Sequence, residues 1–285
     1  MRIHPYFFLF AAALATPVQG VEAQELSDQI VYDYADLADL ALAAPLVLSA
    51  TIDDATKLKP ERAIGVLPGH VRFYVEADVL SLFRGAGGIP SRIAYLVDVP
   101  LDSRGKAPKL EKLRVLLLAR QVPGNASEIQ LVAPDAQLAW SPATETQLRS
   151  ILTEATRADA PPLITGVGNA FHVPGSLPGE GETQIFLQTQ DGRPVSLSIL
   201  RRPGQQPRWA VSLSEIVDEA AAPPKPDTLL WYRLACSLPA ELPDHAVEDI
   251  GFEQARIARA DYKLVIEGLG PCTRTREAPS PSGLN

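Results

Sequence analysis

The chain is short of sulfur, of histidine and of positive charge. Its only methionine is Met1, its only cysteines are Cys236 and Cys272, and its four histidines show no His-x-His or His-Glu-x-x-His spacing. That scatter argues against a metal framework of neighbouring ligands, so no metal site is expected. Acids outnumber bases 34 to 26, a formal charge of −8, and no basic stripe relieves the excess. Such a surface repels phosphate backbones and anionic headgroups, which argues against nucleic acid as a partner. No Gly-x-Ser-x-Gly elbow is present. Beyond residue 23 no apolar run is long enough to cross a bilayer core of roughly 30 Å, so no membrane span is expected after that point.

What the chain does carry begins at its start. Met1-Arg2-Ile3-His4 is short and basic, residues 7–15 are apolar but too few to span a membrane, and Pro17 and Gly20 break the run. Val21-Glu22-Ala23 then sets small side chains at the two positions a signal peptidase reads. We expect a signal peptide over residues 1–23 and a periplasmic or secreted protein; an uncleaved anchor is the alternative. Cleavage removes Arg2 and Glu22, one charge of each sign, so the net stays at −8. In an oxidising compartment an even cysteine count favours a Cys236–Cys272 bridge. Closing a loop of that length, 236 to 272, would stabilise the fold by roughly 4 kcal/mol in the chain-entropy model. Buried free thiols or a redox pair would be the other use of these residues.

With 26 prolines and 19 glycines, turns and short elements are expected throughout. From Ser27 the positions Ile30, Tyr34, Leu37 and Ala41 recur at helical spacing, with Ser27 as cap, and Pro45 ends the run. Strands are expected over 46–52, 71–80, 93–99, 113–119, 129–132 and 136–140, with 53–70 as loop and a turn at the glycine cluster 85–88. Ser141-Pro142 opens a helix whose stripe is Leu148, Ile151, Leu152 and Ala155. After Pro161-Pro162, an extended segment over 163–171 precedes a hairpin, residues 183–189 and 195–200 around Asp191-Gly192, and then a third strand over 208–213. Ser214 should cap a short helix to Ala222, Asp227 a second one over 228–236, and a longer helix should run from about Val247 to Gly268. The disulfide would then staple a helical hairpin.

Two resemblances bear on this pattern. The stretches Pro178-Gly179-Glu180-Gly181-Glu182-Thr183-Gln184-Ile185-Phe186-Leu187, Thr228-Leu229-Leu230-Trp231-Tyr232-Arg233-Leu234-Ala235-Cys236 and Gly268-Leu269-Gly270-Pro271-Cys272 resemble an uncharacterised group of exported bacterial proteins. Residues 39–52 followed by 71–85 resemble the start of OB-type barrels of the netrin and metalloproteinase-inhibitor kind, although the cysteines of that family are absent from the first half. The expected fold is α+β: an antiparallel, barrel-like (OB-type) domain with flanking helices over 24–160, then a β-meander with a helical hairpin over 161–274. A disordered tail is expected over 275–285.

Several chemical signatures fail on geometry. Gly166-Val167-Gly168 follows an apolar strand as a dinucleotide loop would, but Phe171 fills the third glycine position and Pro174 stands where the phosphate-binding helix should start. Residues 175–183 have Glu182 in place of the phosphate-loop lysine, and a carboxylate there repels the ligand. Ser103-Arg104-Gly105-Lys106 has an acyl-enzyme spacing but lies in a loop rather than on a helix. No cofactor is expected. His172 shares a segment with Glu180 and Glu182, and a histidine beside a carboxylate can do acid–base work, though solvated neighbours are the commoner arrangement. Arg193, Arg201, Arg202 and Arg208 form a basic patch with no acid from 192 to 212, facing a region 213–261 that holds ten acids and four bases, a net of −6. Its partner is either that acidic region or an acidic molecule. Trp209, Trp231 and Tyr232 offer a platform or, more simply, core.

The leading reading is a non-enzymatic exported protein that binds a protein or envelope component. A hydrolase or isomerase using His172 with Glu180 or Glu182, and a hydrophobic-ligand carrier with a cavity in the first domain, are the alternatives.

Overall fold

The computed structural model describes residues 32–214 and 222–276. The signal peptide with its cleavage point, the Ser27 cap and most of the helix expected after Ser214 lie outside the described residues. Helix α1, Tyr34–Ala43, buries seven of its ten residues, and its C-terminal carbonyls are met by a cation: Arg84 Nη1 donates to Ala41 O at 2.7 Å and to Ala44 O at 3.3 Å.

Six strands follow: β1 Leu46–Lys57, β2 His70–Arg84, β3 Arg92–Pro100, β4 Arg114–Val122, β5 Asn125–Leu131 and β6 Gln137–Ala139. Their order is β1-β2-β3-β5-β4-β6, and β1 also pairs with β4, which closes a five-strand barrel compatible with an OB-like fold. Alternation dictates what fills it. Along β2, Val71, Phe73, Val75 and Ala77 point in and Arg72, Tyr74, Glu76 and Asp78 point out, as the period of two requires. The inward residues join Leu48, Ile52, Ile93, Tyr95, Val97, Leu117 and Ile129 in a core that occupies the barrel interior.

Strand β4 is apolar on both faces because it serves two cores. Val115, Leu117 and Ala119 face the barrel, whereas Leu116 and Leu118 join the second core with α1. Helix α2, Pro142–Thr156, closes this side. Ser141 Oγ accepts from the Thr144 amide at 3.1 Å as its cap, and Leu148, Ile151 and Leu152 are buried.

A four-stranded antiparallel sheet supplies the other wall, in the order β10-β9-β8-β7: β7 Ile164–Pro174, β8 Gly181–Thr189, β9 Val195–Arg201 and β10 Arg208–Ser212. Helices α3, Leu229–Ala235, and α4, Phe252–Leu269, complete the second core with Trp231, Tyr232, Ala258, Tyr262 and Val265. Cys236, the C-cap of α3, is bonded to Cys272 just past α4, with Cα atoms 5.1 Å apart. Gly270 adopts φ 72°, which an L side chain resists, and its amide closes the last turn of α4 on Ile266 O at 3.1 Å.

Three local expectations change. Strand β1 runs on to Lys57 because its polar residues pair with β2, Asp54 opposite Glu76 and Thr56 opposite Tyr74. Asp227 does not cap α3: it sits at φ 56°, and Thr228 Oγ1 accepts from the Trp231 amide instead. The apolar residues before α4 belong to a 3-10 turn, Asp244–Val247, so α4 starts at Phe252. No helix among the described residues is long and apolar enough to cross a membrane.

Candidate functional site

Two places concentrate polar chemistry. The first lies where α4 crosses the meander. Register sets His172 of β7 opposite Thr183 of β8, and Gly181 of β8 opposite Arg201 of β9. His172 Nδ1 is 2.9 Å from Thr183 Oγ1, and that hydroxyl donates to Asp261 Oδ2 at 2.5 Å. Arg201 Nε donates to Asp261 Oδ1 at 2.7 Å. A carboxylate held by arginine only accepts, so the threonine proton goes to Asp261. His172 Nδ1 is then assigned as the protonated ring nitrogen, donating to the Thr183 oxygen. Gly181 makes room for the ring: a Cβ there would lie 2.5 Å from His172 Cε1 and 2.9 Å from the Val173 carbonyl oxygen. The chain His172–Thr183–Asp261–Arg201 thus ties three strands to one helix through a carboxylate with no solvent exposure.

The carboxylates nearest to His172 in sequence point elsewhere. Glu180 accepts from the Ser176 and Leu177 amides at 3.1 and 3.2 Å and clamps its own turn, and Glu182 accepts from Gln184 Nε2 at 3.0 Å. The acidic member of the cluster is Asp261, 78 residues after Thr183. A sequence signal for it exists: Asp261 falls between Ala258 and Val265 on the buried stripe of α4, where a carboxylate needs a partner. The arginine patch divides. Arg201 meets Asp261, Arg193 is held by Asp191 at 2.8 Å and by Ala160 O at 2.9 Å, and Arg202 and Arg208 are exposed.

The aromatic trio is used internally. Trp231 Nε1 donates to Leu269 O at 2.8 Å, Tyr232 donates to Asp39 Oδ1 at 2.5 Å, and Trp209 packs on Gly268. Burial and the Asp39 contact push the Tyr232 hydroxyl up to about 12. His70 faces Pro68 O and His245 faces Val167 O. Among the described residues no three His, Cys, Asp or Glu side chains cluster as metal ligands would.

The second place is a groove of about 680 Å³ on the barrel, along the seam between β3 and β5. These two strands meet in parallel at a single ladder pair, Ala94 with Glu128. Past it, residues 132–136 follow β4 instead, with the Val132 amide on Leu118 O at 3.0 Å and the Leu118 amide on Ala136 O at 3.1 Å. The seam therefore opens. Tyr74 and Leu96 form its outer floor, Tyr95, Val97 and Leu131 show at its depth, and Val132 and Pro134 line the far wall. Leu96 is 48 % exposed although it sits mid-strand. Arg72 and Asp98 neutralise each other on the rim through Nε–Oδ1 and Nη2–Oδ2 bonds of 2.6 and 2.7 Å, and this pairing pushes the guanidinium up. Arg120 Nη2 donates to Gln130 Oε1 at 3.0 Å. The result is a trough of mixed lining, with apolar side chains such as Leu96 and Leu131 beside a charged and polar rim.

Fold and groove together define a barrel protein with a preformed surface cleft. No protein-family model matches the chain, and no curated protein matches it either.

Proposed function

We propose that the protein acts without catalysis in the periplasm or outside the cell, binding a protein or envelope component in the β3–β5 groove. The observation that carries this reading is the open seam: a trough with exposed Leu96, lined by strands of the barrel and the segment after β5. The exported address rests on the signal-peptide pattern of the sequence, and the Cys236–Cys272 bridge suits an oxidising space. The His172 cluster fits a structural role in this reading, since both oxygens of the buried Asp261 are taken, one by Thr183 and one by Arg201.

The test is site-specific photo-crosslinking in the producing cells. A crosslinker at Leu96 should capture a discrete partner, and one at Phe186, exposed on the outer face of the second sheet, should not. Equal capture from both positions, or capture from Phe186 alone, would reject the groove.

A further inference from the structure

We infer that the groove binds its partner by strand addition: an extended peptide segment pairs with the free edge of β3 from Leu96 to Asp98. This rests on the groove being the binding site, and it adds the mode of recognition and the chemistry of the ligand.

Backbone parity supports it. The β2–β3 ladder is flanked by two hydrogen bonds, Leu101 N–H to Gly69 O at 2.8 Å and Val79 N–H to Ser91 O at 2.8 Å. With the register His70 opposite Pro100 continuing to Asp78 opposite Arg92, the bonded pairs are those with odd-numbered residues on β3. The even-numbered residues Ala94, Leu96 and Asp98 therefore turn their N–H and C=O groups toward the seam. Ala94 finds β5 at Glu128, and the ladder ends there. Leu96 and Asp98 are left presenting backbone donors and acceptors along the trough, which is the template that an added strand completes.

The trough also sets the side-chain pattern of the ligand. A strand laid beside Leu96 and Asp98 alternates its side chains between the seam, where the partly buried Leu131 and the edges of the buried Tyr95, Val97 and Ile129 are apolar, and the rim. The inward position selects an aliphatic residue. On the rim, Arg72 and Asp98 satisfy each other and Arg120 is held by Gln130 without an acid, whereas Glu128 has neither an ion pair nor a side-chain hydrogen bond among the described residues. A lysine or arginine flanking the aliphatic residue complements it. The ligand class is thus a short extended segment of aliphatic and basic residues from another protein. A nucleic-acid or glycan strand lacks the alternating amides that the edge requires.

The probe is a library of random 12-residue peptides displayed on phage and selected on the full chain with its disulfide intact. Selected peptides are then resynthesised with single N-methyl groups. Expected are an aliphatic-basic consensus, at least tenfold weaker binding when alternate amides are methylated, little change at the amides between, and slowed hydrogen exchange at the Leu96 and Asp98 amides. Leu96→Pro removes an N–H that β2 does not use, so it should weaken binding at least tenfold beyond Leu96→Ala while the melting temperature holds. If methylation and Leu96→Pro change nothing while Tyr74→Glu abolishes binding, strand addition is wrong and the groove stands. If Tyr74→Glu also leaves binding intact, or no peptide is enriched, both fail.

Discussion

Asp261 is a carboxylate with no solvent exposure on an otherwise apolar helix face, kept there by the Thr183 hydroxyl and the Arg201 guanidinium. Asp261→Asn strips Arg201 of its counter-ion and leaves one amide oxygen where two carboxylate oxygens had accepted from Thr183 and Arg201. Losing one partner of a buried pair costs about 3–5 kcal/mol, and partial exposure of Arg201 reduces that to about 2–4 kcal/mol. Urea unfolding at neutral pH checks it; a loss below about 1 kcal/mol would mean the cluster is idle. Tyr34 presents the opposite case. Its ring stacks edge-on against Trp231 with centroids 6.1 Å apart, while its hydroxyl is buried without a hydrogen-bond partner. Tyr34→Phe deletes an unsatisfied group and keeps the ring, so stability should be unchanged or higher by up to about 1 kcal/mol. A clear loss in the same unfolding assay would show that the hydroxyl is bonded in solution.

Among the elements, the segment after α4 does more than end the chain's described part. The tail expected from residue 275 starts with two bound residues: Thr275 gives its amide and hydroxyl to Asp36 Oδ2 at 2.9 and 2.6 Å, and Arg276 Nε meets Asp135 at 2.6 Å. Arg274 Nε holds Asp39 at 2.7 Å. Burial raises the carboxyls of Asp39 and Asp135, but the hydrogen bonds from Arg274 and Tyr232 to the first, and from Arg276 to the second, outweigh it, and both end below the ordinary carboxylate range. A depressed carboxyl stabilises above its unfolded value, about 3.9, and the gain is lost as pH falls through the lower folded value. Residues 272–276 should therefore hold firmly at pH 5 and above and loosen progressively below about pH 4, read as faster amide exchange at Thr275 and Arg276. Exchange independent of pH, after correction for intrinsic rates, would contradict those contacts. Most elements were legible because apolar alternation and caps such as Ser141 act locally. The end of β1 was not, since Asp53 and Asp54 lie on the exposed margin where only pairing with β2 reveals a strand. The start of α4 was misplaced because Val247 belongs to a separate 3-10 turn with the same apolar facing.

At the scale of the molecule, two cores share β4, and helices α1 to α4 lie against the barrel and the meander as one hydrophobic cluster. The strands and helices could be read from periodicity, the barrel-like half from its resemblance to OB-type barrels, and the staple from an even cysteine count. The seam could not, because it depends on where β5 leaves β3 for β4, a register choice between strands that no local pattern encodes. The His172 cluster was half legible: an acid on the buried stripe of α4 calls for a partner, but which partner depends on α4 packing across the meander 78 residues later. The account stands on the seam being where a partner sits. The most direct measurement is residue-resolved hydrogen exchange on the full chain with and without a partner captured by photo-crosslinking at Leu96. New protection should be confined to residues 94–98 and 128–134. Protection centred on the outer face of the second sheet, around Phe186 and Leu200, with the seam unchanged, would contradict it.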